Sequence, residues 1–145
     1  MKKQIDPRMH TAEHILNQTM VRLFNCDRCF EAHIERKRSR CYYHFNRGLT
    51  QDEVDKIQFS VNNIVESDLP VTESFLSKEK ADQRYNTEKL PDNLETDKIR
   101  IVHIGNYDAC PCIGPHVKST KDIGAFRITT TSFENGVLKI RFKLA

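Results

Sequence analysis

At 145 residues, 38% hydrophobic and 30% charged with no tryptophan, the chain is long enough to bury a core as a single domain, 1–145, and its net charge of +3 permits a nucleic-acid partner without demanding one. No apolar run approaches the ~20 residues of a membrane span, and Met1-Lys2-Lys3-Gln4-Ile5-Asp6-Pro7 lacks a signal peptide's apolar stretch, so a cytoplasmic location with no membrane partner is expected. Five cysteines, an odd number, argue against a disulfide framework and for metal binding or catalysis.

In chain order, Met9, Ala12, Leu16, Met20 and Leu23 recur at helical spacing and predict a helix over 9–24. At ~100° per residue, His10 and His14 fall off that apolar stripe, on a side expected to face a cleft. Residues 31–36 and 40–46 read as strands around the basic turn Arg36-Lys37-Arg38. Thr50 with Glu53 three residues on is a capping-box pattern. It opens a helix with Val54, Ile57, Val61, Ile64 and Val65 on its buried face, and Pro70 stops it. Val71 to Phe75 reads as a strand, followed by a short helix capped by Ser77. The polar residues 85–97, with Pro91, read as a surface loop.

Lys98 to Ile104 is an apolar strand leading into a cysteine-rich loop, 105–117. Strands 125–133 and 137–144 flank Asn135-Gly136, a hairpin-turn signal. On the last strand Lys139, Arg141 and Lys143 alternate with Leu138, Ile140, Phe142 and Leu144, giving one basic and one buried face. The expected class is α+β, a mainly antiparallel sheet covered by two longer helices.

Two segments about a hundred positions apart carry candidate metal chemistry. His10-Thr11-Ala12-Glu13-His14 puts two imidazoles at i and i+4 on a helix, where both can reach one ion. Cys112-Ile113-Gly114-Pro115-His116 supplies a thiol and a third imidazole from a loop after a buried strand. Together they make the four nitrogen and sulfur donors of a tetrahedral zinc site. The form H-E-x-x-H is absent, because position 11 is threonine, which speaks against a metalloprotease. Cys26-Asp27-Arg28-Cys29 and Cys110-Pro111-Cys112 compete for a metal, but the second spacing is shorter than a zinc knuckle uses. His103 reads as a packed strand residue with one ring nitrogen satisfied. His33 and His44, on the early hairpin, are candidate substrate contacts if that hairpin faces the same cleft. Arg127, Lys139, Arg141 and Lys143 are candidate contacts to a phosphate backbone, with a solvated sheet face as the alternative.

The segment His10-Thr11-Ala12-Glu13-His14-Ile15-Leu16 resembles the HTAxHLL segment of alanyl-tRNA synthetase editing domains. Cys112-Ile113-Gly114-Pro115-His116-Val117 is similar to their CGGTHV segment, Thr120 through Gly124 continues it, and Leu69-Pro70-Val71 resembles a recurrent LPV. The resemblance spans roughly residues 9–130 and, in a chain this short, points to free-standing editing proteins of the AlaX type. It implies the editing-domain fold shared with threonyl-tRNA synthetase. It also implies a zinc-dependent deacylase whose partner is the acceptor end of tRNA with its attached amino acid, Ser-tRNA(Ala) or Gly-tRNA(Ala).

Carried over by position, the metal set is His10, His14, Cys112 and His116, with His116 either a ligand or a base. Thr11, Gly114 and Thr120 become candidate substrate contacts. Ile113 stands where the family segment has glycine and Pro115 where it has threonine. These add bulk and remove a backbone N–H, which is expected to reshape the amino-acid pocket. Two alternatives remain: an inactive zinc-stabilised tRNA-binding module, and a zinc hydrolase of a small ester or amide.

Overall fold

The structure, a computed structural model, describes residues 5–87, 90 and 97–145; most of the stretch expected as a loop over 85–97, with Pro91, lies outside the described residues, as do residues 1–4. Helix α1 (Pro7–Phe24) begins where the Asp6 carboxylate accepts from the Met9 N–H, with Pro7 at the start of the helix, where its missing N–H costs nothing. Asn25, left-handed at φ 55°, ends it by donating its N–H to the Val21 carbonyl. A hairpin of β1 (Glu31–His33) and β2 (Ser39–His44) follows.

Helix α2 (Gln51–Glu66) carries the expected capping box: the Thr50 hydroxyl accepts from the Glu53 N–H, and the Glu53 carboxylate accepts from the Thr50 N–H. Strand β3 (Val71–Ser77) runs into α3 (Lys78–Arg84), which Ser77 caps. Then come β4 (Lys98–Ile104), β5 (Asp108–Pro111), a 3-10 turn at Thr120–Ile123, and the hairpin β6 (Phe126–Glu134) and β7 (Val137–Leu144). Asn135 and Gly136 turn that hairpin with φ of 51° and 79°, the paired positive values of a type I′ turn.

All pairing is antiparallel and the class is α+β, but the strands divide between two sheets, ordered β1-β2-β7-β6 and β3-β4-β5. Strand β5 lies inside the segment read as irregular. Cys110 opposes Val102 and Ala109 opposes His103 there, so its extended form comes from pairing with β4 rather than from its own residues. Pro111 is tolerated because β5 is an edge strand and the proline ends it.

The larger core lies between the inner face of the first sheet (Cys41, Tyr43, Leu138, Ile140, Phe142) and the helices, which contribute Met9, Ala12, Leu16 and Met20 from α1 and Ile57, Val61 and Val65 from α2. A smaller cluster of Ala81, Ile99 and Ile101 joins α3 to the second sheet. Helix α1 packs against α2, the 3-10 turn and β5, and Thr11, Ile15, Asn17 and Thr19 are buried as well as its apolar stripe. This corrects the expectation of an open cleft beside His10 and His14: their exposures are 5% and 4%. No helix among the described residues is long and apolar enough to cross a membrane.

Candidate metal centre

The pairing of β4 with β5 carries the chain back past α1 and leaves Cys112 to His116 against its first turns. Cys112 Sγ lies 3.2 Å from His10 Nε2 and 3.4 Å from His116 Nε2. One ligand atom from each of His10, His14, Cys112 and His116 lies within 4.8 Å of the others. The His10 and His116 rings stack at 4.0 Å, and His14 meets them edge-on at 5.0 and 4.6 Å. Zinc–sulfur and zinc–nitrogen bonds of ~2.3 and ~2.0 Å at a tetrahedral angle would hold S and N about 3.5 Å apart. The two sulfur–nitrogen separations come close to that value, so the donor set fits a divalent ion that accepts nitrogen and sulfur.

The outer nitrogens of the rings support the same reading. His10 Nδ1 donates to the Pro115 carbonyl at 3.0 Å. The Thr11 hydroxyl donates to the Pro7 carbonyl at 2.9 Å, so it accepts from His116 Nδ1 at 2.9 Å, and from the Val117 N–H at 3.2 Å. Both rings therefore turn a lone pair on Nε2 toward Cys112. His14 Nδ1 is buried without a hydrogen bond, 3.6 Å from Asp108 Oδ2. Arg28 holds Asp108 through two contacts of 2.7 and 3.3 Å, and Gln18 donates a third at 3.0 Å. A carboxylate fixed behind a histidine orients it as a metal ligand. Gly114, at φ 112°, completes the enclosure: a Cβ there would stand 3.2 Å from His10 Cε1.

Burial sets the charge of this cluster. It lowers His10 to about 4, helped by the neighbouring His14, although the Pro115 carbonyl acts in the opposite direction. Burial, then His14 and His10, lower His116 to about 2. Burial, then Cys110 and Glu13, push the Cys112 thiol up to about 12. Burial acts to raise Asp108, but His14 and Arg28 outweigh it and hold the carboxyl below its ordinary value. Without a cation, His10 and His116 stay neutral at pH 7 and the thiol keeps its proton. A divalent ion would displace that proton and supply the charge that burial withholds.

The other candidate residues take different places. Thr11 is fully buried and holds His116, while Gly114 lies against the His10 ring. Thr120, read as a substrate contact, is also fully buried; its hydroxyl donates to the Ile64 carbonyl at the end of α2 and accepts from the Leu69 N–H, a structural role. His33 and His44 do not share a cleft with the metal centre. The period of two along β2 turns Cys41 and Tyr43 inward, and leaves His44, and His33 opposite Arg40, on the outer face. His44 stacks on Phe30 at 4.0 Å, and His33 lies 3.6 Å from Glu31. Arg127, Lys139, Arg141 and Lys143 line that same outer face, with Lys143 opposite Arg127 and Arg141 opposite Arg40. His103 is half-buried, with Nε2 2.8 Å from the Ser74 hydroxyl.

Sequence reasoning missed Asp108, Arg28, Gln18 and Arg100. Arg100 donates to the Gly114 carbonyl at 2.7 Å and to Glu73, bracing the ligand loop. Each is a common polar residue far in sequence from what it holds, and no local spacing marks it.

The fold and site define an antiparallel α+β domain with a candidate metal centre, three histidines and one cysteine held between a helix and the end of an edge strand. Residues 99–139 match the threonyl and alanyl tRNA synthetase second additional domain. Over 93% of its length the chain is 30% identical to an alanine–tRNA ligase of Methanopyrus kandleri, and covers 15% of that protein. Over 83% of its length it is 31% identical to the alanyl-tRNA editing protein AlaX-L of Pyrococcus horikoshii, and covers 29% of it. An alanine–tRNA ligase of Aeropyrum pernix is 27% identical over 93% of the chain, which covers 15% of it. The chain thus spans less than a third of each of these relatives. It belongs to the family of alanyl-tRNA synthetase editing domains.

Proposed function

We propose that this protein hydrolyses mischarged aminoacyl-tRNA in trans, with zinc held by His10, His14, Cys112 and His116, and that its substrate is Ser-tRNA(Ala) or Gly-tRNA(Ala). The observation that carries this reading is the convergence of those four donors, from both ends of a chain of this family, on one buried point. A related protein that shares 31% of aligned residues is named an alanyl-tRNA editing protein.

When bound, zinc supplies positive charge that polarises an ester carbonyl or acidifies water. The chain's own residues do the rest. Pro115, Thr11 and Asp108 fix the ring orientations, and burial keeps His10 and His116 from taking up protons at neutral pH. Between the two roles open to His116, geometry favours that of ligand: Thr11 holds its Nδ1, and its Nε2 faces the Cys112 sulfur at 3.4 Å. Four protein donors make a closed set, so orientation and charge, more than a permanently open position, are what the residues support.

On this reading Arg127, Lys139, Arg141 and Lys143 contact the RNA backbone, and binding weakens as salt rises. The cytoplasm is the proposed location, because charged tRNA is found there. The test is release of serine or glycine from mischarged tRNA(Ala), with metal content measured on the same preparation. One zinc per chain and multiple turnovers are expected. Undiminished hydrolysis by a His10→Ala, His14→Ala double variant would sink the metal mechanism.

A further inference from the structure

Two carboxylates stand beside the metal centre, and they differ in how they are held. Asp108 is closed off from solvent behind His14, in the grip of Arg28 and Gln18. Glu13 comes three residues after His10 and directly before His14 on α1, so its side chain shares their side of the helix. One of its oxygens, Oε2, accepts from the Cys29 thiol at 3.5 Å. The other, Oε1, turns toward the centre and lies 3.9 Å from His10 Nε2. That exceeds the 3.2 and 3.4 Å that separate the sulfur from the nitrogen donors, so Glu13 borders the donor set without joining it. Its side chain is 12% exposed, so solvent reaches it, whereas that of Asp108 has no exposure. The family segment HTAxHLL leaves this position open, so a carboxylate there is this chain's own.

We propose that Glu13 binds the α-ammonium group of the aminoacyl ester and so makes the protein select free-amine esters over N-acylated ones. The inference rests on the hydrolase reading of this centre and adds a chemical class that its substrate must have. In every α-aminoacyl ester the nitrogen is two bonds from the carbonyl carbon, so a carbonyl brought to the centre brings an ammonium with it. That charge arrives at an unfavourable place. A divalent ion held by one thiolate and three neutral imidazoles keeps a net positive charge, and like charges repel more strongly in a buried site than in water. A carboxylate at the edge of the donor set offsets that repulsion, and an ammonium–carboxylate hydrogen bond is among the stronger ones. Glu13 already acts on this region, because its negative charge is one of the causes that raise the Cys112 thiol. An N-acylated ester, such as peptidyl-RNA, presents a neutral amide at that point and gains no ion pair from the carboxylate.

The test compares seryl-tRNA(Ala) with N-acetylseryl-tRNA(Ala) on the full chain with its metal. Wild type should prefer the free amine by roughly ten- to hundredfold in kcat/KM, the range of a charge-assisted hydrogen bond. Glu13→Gln keeps the size and removes the charge; it should bring the preference within about threefold, with metal content unchanged. Glu13→Asp keeps the charge but shortens its reach, and its preference should fall between the two; it carries the comparison if Glu13→Gln does not fold. Damaged packing, or a proton-transfer role for Glu13, would lower both substrates equally and leave the preference intact, and that result overturns the proposal. A binding arm needs no turnover. Its probes are adenosine carrying serine through a non-hydrolysable amide, and the N-acetyl derivative of the same compound. The first should bind wild type at least about tenfold more tightly than the second, and Glu13→Gln should erase the difference. Equal binding of the two by wild type, or binding of neither, overturns the proposal. Absence of hydrolysis by wild type counts against the deacylase reading alone, and the binding arm then decides the role of Glu13 by itself.

Discussion

Helix α1 contributes to two groups of potential metal ligands, and they differ in what stands behind them. Around Cys112, the rings of His10, His116 and His14 are aimed by the Pro115 carbonyl, the Thr11 hydroxyl and the Arg28-bound Asp108. Glu13, Cys29 and Cys41 also bring a ligand atom each within 4.8 Å of one another, from the adjoining side of the same helix. There the groups satisfy one another within the core. The Cys29 thiol donates to Glu13 at 3.5 Å, and Asn17 accepts from the Cys29 N–H and the Tyr43 hydroxyl. No imidazole belongs to that second group. The first has donors oriented from outside toward a common point; the second is a polar seam in packed apolar structure. The lesson is that convergence of ligand atoms is cheap, and orientation by a second layer of residues is what distinguishes a centre.

The sharpest way to break this comparison is to empty the first group. A His10→Ala, His14→Ala variant should lose its metal, measured by elemental analysis after dialysis, and hydrolysis should fall on the order of a thousandfold. The next effect is subtler. Asp108→Asn leaves all four donors in place but removes the charge behind His14. Metal affinity, measured by competition with a chelator, should weaken by about ten- to a hundredfold. The variant should also be less stable, by about 1–3 kcal/mol, because Arg28, partly exposed, keeps an amide oxygen to donate to but loses the opposing charge. Unchanged affinity in a folded Asp108→Asn protein would mean that the carboxylate serves Arg28 alone.

The second group gives the converse test. Cys41→Ala should leave the metal content at one per chain while costing about 1–2 kcal/mol of stability from lost packing, read from denaturant unfolding. A drop in metal content in that variant would erase the distinction between the two groups.

How far these groups can be read in the sequence follows from the same contrast. The i, i+4 histidines and the Cys112–His116 pair are legible, because one turn of helix and one short loop fix their spacing. The apolar stripe of α1 is legible too, yet it misleads about the other sides of the helix. Periodicity reports the face packed on the main core and is silent on a helix that β5 and the 3-10 turn enclose as well. Strand β5 is hidden because Asp108-Ala109-Cys110-Pro111 has no strand signature and becomes extended only through its pairing with β4, Ala109 opposite His103 and Cys110 opposite Val102. Asp108 is hidden for the same reason: its value lies in Gln18 and Arg28, 80 or more positions away.

The smallest effect concerns a device that is wholly local, and so was legible from four residues. Thr50 and Glu53 exchange hydrogen bonds at the start of α2, and Arg47 adds two contacts of 2.7 Å to the same carboxylate. The Arg47 contact first, then the Thr50 N–H, lower Glu53 from 4.5 to about 2 in the folded chain. A carboxylate lowered on folding contributes stability that is complete above its unfolded value and is lost as pH falls through its folded value. Thr50→Ala should therefore cost about 1 kcal/mol at pH 7. Glu53→Gln should cost less, because water and salt screen an exposed ion pair. Its deficit against wild type should shrink between pH 4.5 and pH 2, and neither change should alter the metal content. A Glu53→Gln deficit that persists unchanged at pH 2 would assign the effect to the side chain's shape instead of its charge.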